Sequence, residues 1–340
     1  MKIGIHHSKG SYSEGWIDYC KEKGISYKIV DAYHTDIVKH LEDCDAFMWH
    51  HQHVSPTDTL FAKQLLFSLE QAGKVVFPNT LSTWHFDDKL GQKYLLEALK
   101  LPLIKSFAFY SKEDAFEWAS RYQFPAVFKL RGGAGSANVR LAKNNQEAVS
   151  LIKKAFGKGF RQYDPTVLIK DAVLHLKNGE GNIRDIIKAL AHYFYPYQIE
   201  KAKSREKGYV YFQEFIPDCK IDIRVQIVGD KCYAMARSVR KNDFRASGSG
   251  VIDLDGSKIP VAAIKQAFEI AKSLRMQSLA IDFVPYNDTY LIAEICYAWG
   301  IADGELDYGY WDSGLKWHPG KINPYEWMVE EVLMTKKEYD

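Results

Sequence analysis

The chain has 340 residues, 46% hydrophobic and 26% charged, an ordinary globular composition that argues against disorder and, at this length, points to two or three subdomains. A formal net charge of +2 supplies no field for nucleic acid or another polyanion, so none is expected as a partner. Cys20, Cys44, Cys219, Cys232 and Cys296 are scattered without a CxxC pair, which speaks against a zinc site or a disulfide framework.

The opening MKIGIHHSKGSYSEGW lacks the apolar region of a signal peptide. No window approaches the roughly 18 apolar residues that span a membrane. A cytoplasmic protein without a membrane partner is the expectation. KIGIH (2–6), ISYKIV (25–30) and AFMWH (46–50) alternate like strands, while 14–23, 35–43 and 57–72 have the apolar spacing of helices. That order predicts a small parallel α/β domain over residues 1–80. No GxGxxG follows the first strand, against a dinucleotide site.

FPNT, ending at Thr80, is a turn, and Asp87 or Asp88 is placed to cap a helix through KLGQKYLLEALK. LPLIKSFAFY and FPAVFKL (124–130) read as strands, and helices are expected from about Glu113 to Tyr122 and from about Gln146 to Phe156. The loop RGGAGSANV follows the second of these strands. Residues 157–207 read as an inserted, solvated helical decoration, with a lid or partner surface over the site as the alternative. From Tyr209, the runs YVYFQEFI, IDIRVQIV and KCYAMARSV predict an antiparallel sheet, the last two joined by a tight hairpin at Gly229-Asp230. A polar loop, RKNDFRASGSG, leads to a helix at 260–274, and SLAIDFVPY and TYLIAEICY pair across Asn287-Asp288. The aromatic tail beyond them reads as a packed extension at 311–340, with stacking on a sugar face as the sharper alternative.

A bound triphosphate needs cations, backbone N–H donors in a flexible loop, and carboxylates that hold Mg2+ through oxygen. Lys129 ends an apolar strand immediately before Gly132, Gly133, Gly135 and Ser136, where its charge and the loop would meet phosphates. Asp282 and Glu294 each follow an apolar run on neighbouring strands and suit Mg2+, or alternatively are strand-end acids facing solvent. In QEFIPDCKIDIRV the strand end Gln213-Glu214-Phe215-Ile216 would offer backbone groups to an adenine edge. Asp222 would then meet ribose and Arg224 phosphate.

In this order and spacing, DDKLGQKYLLEAL (87–99), FPAVFKLRGGAGSANV (124–139), QEFIPDCKIDIRVQIVGD (213–230), RSVRKNDFRASGSG (237–250), AIDFV (280–284) and AEIC (293–296) resemble the ATP-grasp superfamily. The segment DIRVQIVGD…NDFR most resembles its RimK-like branch of carboxylate–amine ligases. The resemblance implies a pre-ATP-grasp α/β domain (1–80), a central lid lobe (81–212), a C-terminal lobe with an antiparallel sheet (213–310) and the extension. It implies that Lys89 reaches the α-phosphate and Lys129 the α- and β-phosphates, under a mobile loop at Gly132–Ser136. Glu214, Phe215 and Ile216 would meet adenine, Asp222 ribose, and Asp282 and Glu294 magnesium. Arg224, Arg237, Arg240 and Arg245 are the candidates for anion contacts. Arg237 and Arg240 are three apart and would point to opposite faces of an extended strand.

Two positions depart from the pattern. Cys296 stands where an Asn metal ligand is usual, and a thiol is a poor ligand for Mg2+. Ser247 replaces an expected Asn. The expected cofactors are ATP with one or two Mg2+, or Mn2+ in their place. The expected reaction converts a carboxylate to an acyl phosphate that an amine or thiol displaces, with ADP and phosphate released. A small-molecule kinase on the same fold and a silent ATP-binding regulator are the rivals. His50, His51 and His53 end the third strand, where open α/β sheets bind ligands, as substrate-facing, structural or metal-binding residues. A homodimer is open as the assembly.

Overall fold

The computed structural model describes residues 1–133, 138–162, 165–178, 182–195, 204–239, 243–246, 251–301 and 304–339. The chain opens with β1 (Ile3–His6), α1 (Ser13–Lys23), β2 (Tyr27–Val30), α2 (Ile37–His40), β3 (Ala46–Met48), α3 (Pro56–Gln71) and β4 (Val75–Phe77). These strands pair in parallel in the order β2-β1-β3-β4. The fourth strand is the short VVF run after Gly73, too brief to show alternation. Ser55 starts α3 by accepting from the Asp58 amide, with Pro56 next to the cap.

After α4 (Thr80–Thr83) comes α5 (Lys89–Ala98). Of the two candidate caps Asp88 serves, its carboxylate accepting from the Gly91 amide, while Asp87 adopts a left-handed φ of 55°. Leu96, with Leu95, Leu101 and Leu103, then packs on the large C-terminal sheet rather than on the lid lobe to which residues 81–212 were assigned. The apolar side of α5 needs a partner, and that sheet supplies it.

A small sheet follows, built from β5 (Ser106–Phe109), β6 (Ala126–Lys129), β7 (Arg140–Ala142) and β8 (Val210–Glu214) in the antiparallel order β5-β8-β6-β7. It packs with α6 (Lys112–Arg121) and α7 (Asn145–Ala155) around Phe128, Ile152, Phe160 and Phe212. The insertion between α7 and β8 carries α8 (Pro165–Asn178) and α9 (Ile183–Phe194).

β8 departs from the sequence expectation. It was placed with the two following strands, yet it belongs to the small sheet. The reason is IPDCK: Pro217 offers no ladder N–H and Asp218 turns with φ 57°, so the chain leaves one sheet and crosses to the other.

The large sheet comprises β9 (Ile221–Val228), β10 (Lys231–Ser238), β11 (Ile252–Asp253), β12 (Ser278–Tyr286), β13 (Thr289–Cys296), β14 (Gly309–Asp312) and β15 (Trp317–Pro319). Its order is β13-β12-β9-β10-β14-β15, with β11 beside β10. Strand alternation sorts its faces. Ile223, Val225, Ile227, Leu279, Ile281 and Phe283 form a core with α10 (Val261–Leu274), while Asp222, Arg224 and Asp282 face the other way and line a cleft. α11 (Pro324–Tyr339) returns to the N-terminal domain, burying Trp327, Met328 and Val329 with Trp16 and Ile17. No helix among the described residues is long and apolar enough to cross a membrane.

Candidate functional site

A cleft of about 800 Å3 is lined by the ends of the small sheet, the charged face of the large sheet and the loops after β1 and β3. It gathers Lys89, Lys129, Gly133, Glu214, Phe215, Ile216, Asp222, Arg224, Arg245, Asp282, Glu294 and Cys296. Residues from six separate stretches of sequence therefore converge. Gly135, Ser136 and Arg240 lie outside the described residues.

Lys129 is the last residue of β6, and the β6–β8 register sets Val127 opposite Gln213. Its Nζ donates to Gln213 Oε1 at 2.6 Å and to the Ala293 carbonyl at 3.4 Å. Burial pushes its pKa down to about 8, against the pull of Glu294 and with help from the Lys89 charge. Lys89, the first residue of α5, places Nζ 2.9 Å from Glu294 Oε1 and 2.9 Å from the Gly133 carbonyl. Burial opposes its charge, but Glu294 and Asp87 overcome that and hold its pKa raised.

The carboxylates come from paired strands, Asp282 directly opposite Glu294 across β12 and β13. Arg224 grips Asp282 through Nε and Nη2 at 2.7 and 2.8 Å. Arg237 grips Asp222 at 2.6 and 2.7 Å and reaches Asp282 at 3.1 Å. Burial disfavours the ionised form of Asp282, yet Arg224 and Arg237 hold its carboxyl well below the usual range.

Arg237 is a correction to the sequence reading. It is 5% exposed, does not line the cleft, and spends its guanidinium on two carboxylates, so it is not positioned as an anion contact. Asp222 does line the cleft, but with both oxygens on Arg237. Arg245 lines it with its guanidinium against Asp243 at 2.7 Å.

Cys296 is a thiol rather than a ligand: burial raises its pKa to about 12 and Sγ donates to the Ala298 carbonyl at 2.6 Å. Among the described residues no group of three or more His, Cys, Asp or Glu is arranged to hold a metal. The donor set still fits Mg2+, which commonly takes one or two carboxylates and completes its shell with phosphate oxygens and water. Glu294 and Asp282, opposed across β12 and β13 and lining the cleft, are the carboxylates that would hold it. Ile104, Val127, Phe215 and Ile216 add an apolar wall beside Lys129, suited to a base.

His50, His51 and His53 also line the cleft. His50 stacks on Tyr12 with centroids 3.8 Å apart and accepts from the Tyr12 amide at 3.1 Å. Burial pushes it down to about 4 and His51 well below its ordinary value. His51 Nε2 meets Thr83 Oγ1 at 2.5 Å. Each ring already spends a nitrogen on a partner, His50 on the Tyr12 amide and His51 on Thr83, which does not favour the metal-binding alternative.

Asp87 escaped the sequence reading of the site, and Gln213 entered it only for its backbone groups. Asp87 Oδ1 accepts from the Gly133 amide at 2.6 Å. The signal was the doublet Asp87-Asp88, since one helix start needs only one cap. Gln213, which holds Lys129, was visible as a polar residue inside the apolar run VYFQEF.

No family model matches the chain, and no curated protein is similar to it in sequence. Solved structures are. D-alanine–D-alanine ligase from Bacillus anthracis complexed with ATP superposes with a TM-score of 0.58 at 13% identity, over 100% of this chain and 99% of that one. The ATP-grasp ligase PsnB complexed with minimal precursor, Mg and ADP gives 0.54 at 13%, over 99% and 98%. A RimK domain ATP-grasp protein from Sphaerobacter thermophilus gives 0.51 at 12%, over 87% and 90%. Each likeness is one of fold.

Proposed function

We infer from the ATP-grasp fold of this chain, together with its cleft, that it is a Mg-ATP-dependent ligase joining a carboxylate to an amine or thiol. The observation that carries this reading is the convergence of the buried Lys89 and the half-buried Lys129 with the opposed carboxylates Asp282 and Glu294 in one cleft. In phosphoryl transfer the protein chiefly positions groups and offsets charge. Lys129 would leave Gln213, and Lys89 would leave the Gly133 carbonyl, to meet phosphate oxygens. Glu294 and Asp282 would hold Mg2+, which supplies charge neutralisation at the transferred group. Glu214, Phe215 and Ile216 would seat the base. Arg224, which unlike Arg237 lines the cleft, would turn from Asp282 to hold the anionic acyl phosphate while the nucleophile displaces phosphate, and closure of the glycine-rich loop would exclude competing water. Ligases of this fold, such as the D-alanine–D-alanine ligase, support the reaction class; the substrate is not inherited from them.

The test is Mg-ATP turnover with pooled amino acids, small peptides and uronic acids in the presence of hydroxylamine. Hydroxamate formed together with ADP and free phosphate is the expected result. A phosphorylated product without hydroxamate would replace the ligase with a kinase. ATP binding without turnover across the pools would favour a regulator.

A further inference from the structure

The helical insertion turns an apolar stripe outward. On α9, Ile183, Ile187 and Leu190 are 66%, 59% and 47% exposed. Their spacing of four and three puts them on one face over about 10 Å of helix. Elsewhere such spacing points inward, as on α7, where Ala148, Ile152 and Ala155 are buried. α8 packs along α9 and leaves this stripe uncovered.

Charge borders the stripe. Arg184 and Lys188, one turn apart, are exposed, and among the described residues neither side chain meets a carboxylate. Residues 157–207 hold ten Lys or Arg against six Asp or Glu, in a chain whose total excess is two. The positive excess therefore resides in the insertion. Packing the stripe on its copy in a dimer would oppose like charges. Three aliphatic side chains over two turns match one peptide helix better than a membrane-surface helix.

The insertion is wired to the cleft. Phe160 and Glu206 exchange backbone hydrogen bonds at 2.9 Å each, closing a neck. On one side of it the Asn138 side-chain amide donates to the carbonyls of Arg161, at 3.0 Å, and Gln162. On the other, Tyr209 Oη donates to Glu206 at 2.9 Å and accepts from the Arg131 amide at 2.7 Å. Asn138 and Arg131 flank the glycine-rich loop, so both ends of the insertion hold both ends of that loop.

We propose that α9 docks an acidic amphipathic helix of a partner protein, its apolar face on Ile183, Ile187 and Leu190 and its carboxylates against Arg184 and Lys188. Occupancy then reaches the glycine-rich loop through the neck. This docking does not depend on the ligase reading. The test selects a displayed library of random 16-residue peptides against the full chain, with the Ile187→Asp chain as counter-selection.

Enriched peptides are expected to be net acidic with helical apolar spacing. They should bind at least tenfold more weakly to Ile187→Asp and to Arg184→Glu/Lys188→Glu, and slow amide exchange at residues 131–139. Ile187 is exposed, so unchanged melting would confirm that its variant folds. Neutral or basic winners, no Ile187-dependent winner, or unchanged exchange at the loop would overturn the proposal. So would Ile187-dependent binding to phosphatidylserine vesicles in place of peptides, or an Ile187-dependent dimer in sedimentation.

Discussion

Lys129 carries a charge that the small sheet does not favour. An unfolded lysine titrates near 10.5, whereas burial brings Lys129 down to about 8. Between those values the unfolded chain binds the extra proton, so this residue makes the fold more stable as pH rises through that window. Urea titrations at pH 7.5 and 10 are expected to show wild type gaining on Lys129→Met; equal shifts would mean that the lysine is not desolvated. The same variant should lose at least tenfold in Mg-ATP affinity by calorimetry. Glu294 acts differently, since it touches Lys89 at 2.9 Å and is the proposed metal carboxylate. Glu294→Gln keeps shape but removes the charge, and turnover is expected to fall about 10²–10³-fold, a loss typical of removing one electrostatic stabiliser. A rate within threefold of wild type, at saturating magnesium, would take Glu294 out of the site.

Three strands are tied together on the charged face of the large sheet. The register sets Asp222 against Arg237 on β9 and β10, and Arg224 against Asp282 on β9 and β12. Arg237 then bridges Asp222 and Asp282. Removing one partner of a buried pair strands a charge and costs about 3–5 kcal/mol. Arg237→Met is expected to lose about that much stability in urea. Arg237→Lys should recover only part, because an ammonium lacks the two-pronged geometry. A loss below about 1 kcal/mol in Arg237→Met would show the pairs to be solvated. The same strands mark how far the sequence could be read. Asp222, Arg224 and Asp282 announced themselves as charges inside apolar alternation, which also put them on one face. The pairing of Arg224 with Asp282 did not, because it depends on register across strands 58 residues apart. Arg237 looked like a free anion contact because its partner Asp222, opposite it across the predicted hairpin, was read as a ribose acid, and its bridge to Asp282 depends on the same distant register. β8 likewise looked continuous with β9 until the IPDCK turn took it to another sheet, and Asp87 looked like a cap until Asp88 filled that place.

The two ends of the chain complete one another. α11 buries Trp327, Met328, Val329 and Val332 in a core that holds Trp16 and Ile17 of α1, Phe77 of β4, and Val228, Tyr233 and Ala280 from the large sheet. That core joins the parallel domain to the face that carries the cleft. Its rim is functional ground, since Tyr12, Trp299 and Tyr325 line the cleft itself, and Tyr12 Oη accepts from the Trp299 amide at 2.6 Å. Each large apolar side chain buried there contributes about 1.5–3 kcal/mol. Losing four of them would remove an amount comparable to the 5–15 kcal/mol that holds a typical domain together. Ending the chain at Asn323 is therefore expected to abolish cooperative melting and leave amides of β1, β3 and β4 unprotected in hydrogen exchange. The small sheet, whose core of Phe128, Ile152, Phe160 and Phe212 is separate, should keep protection at β6 and β8. If the shortened chain melted within about 3 °C of the full one, α11 would be an appendage and the N-terminal domain would stand alone. If protection vanished in the small sheet too, cooperativity would extend across the cleft, and the lobes would open only by unfolding.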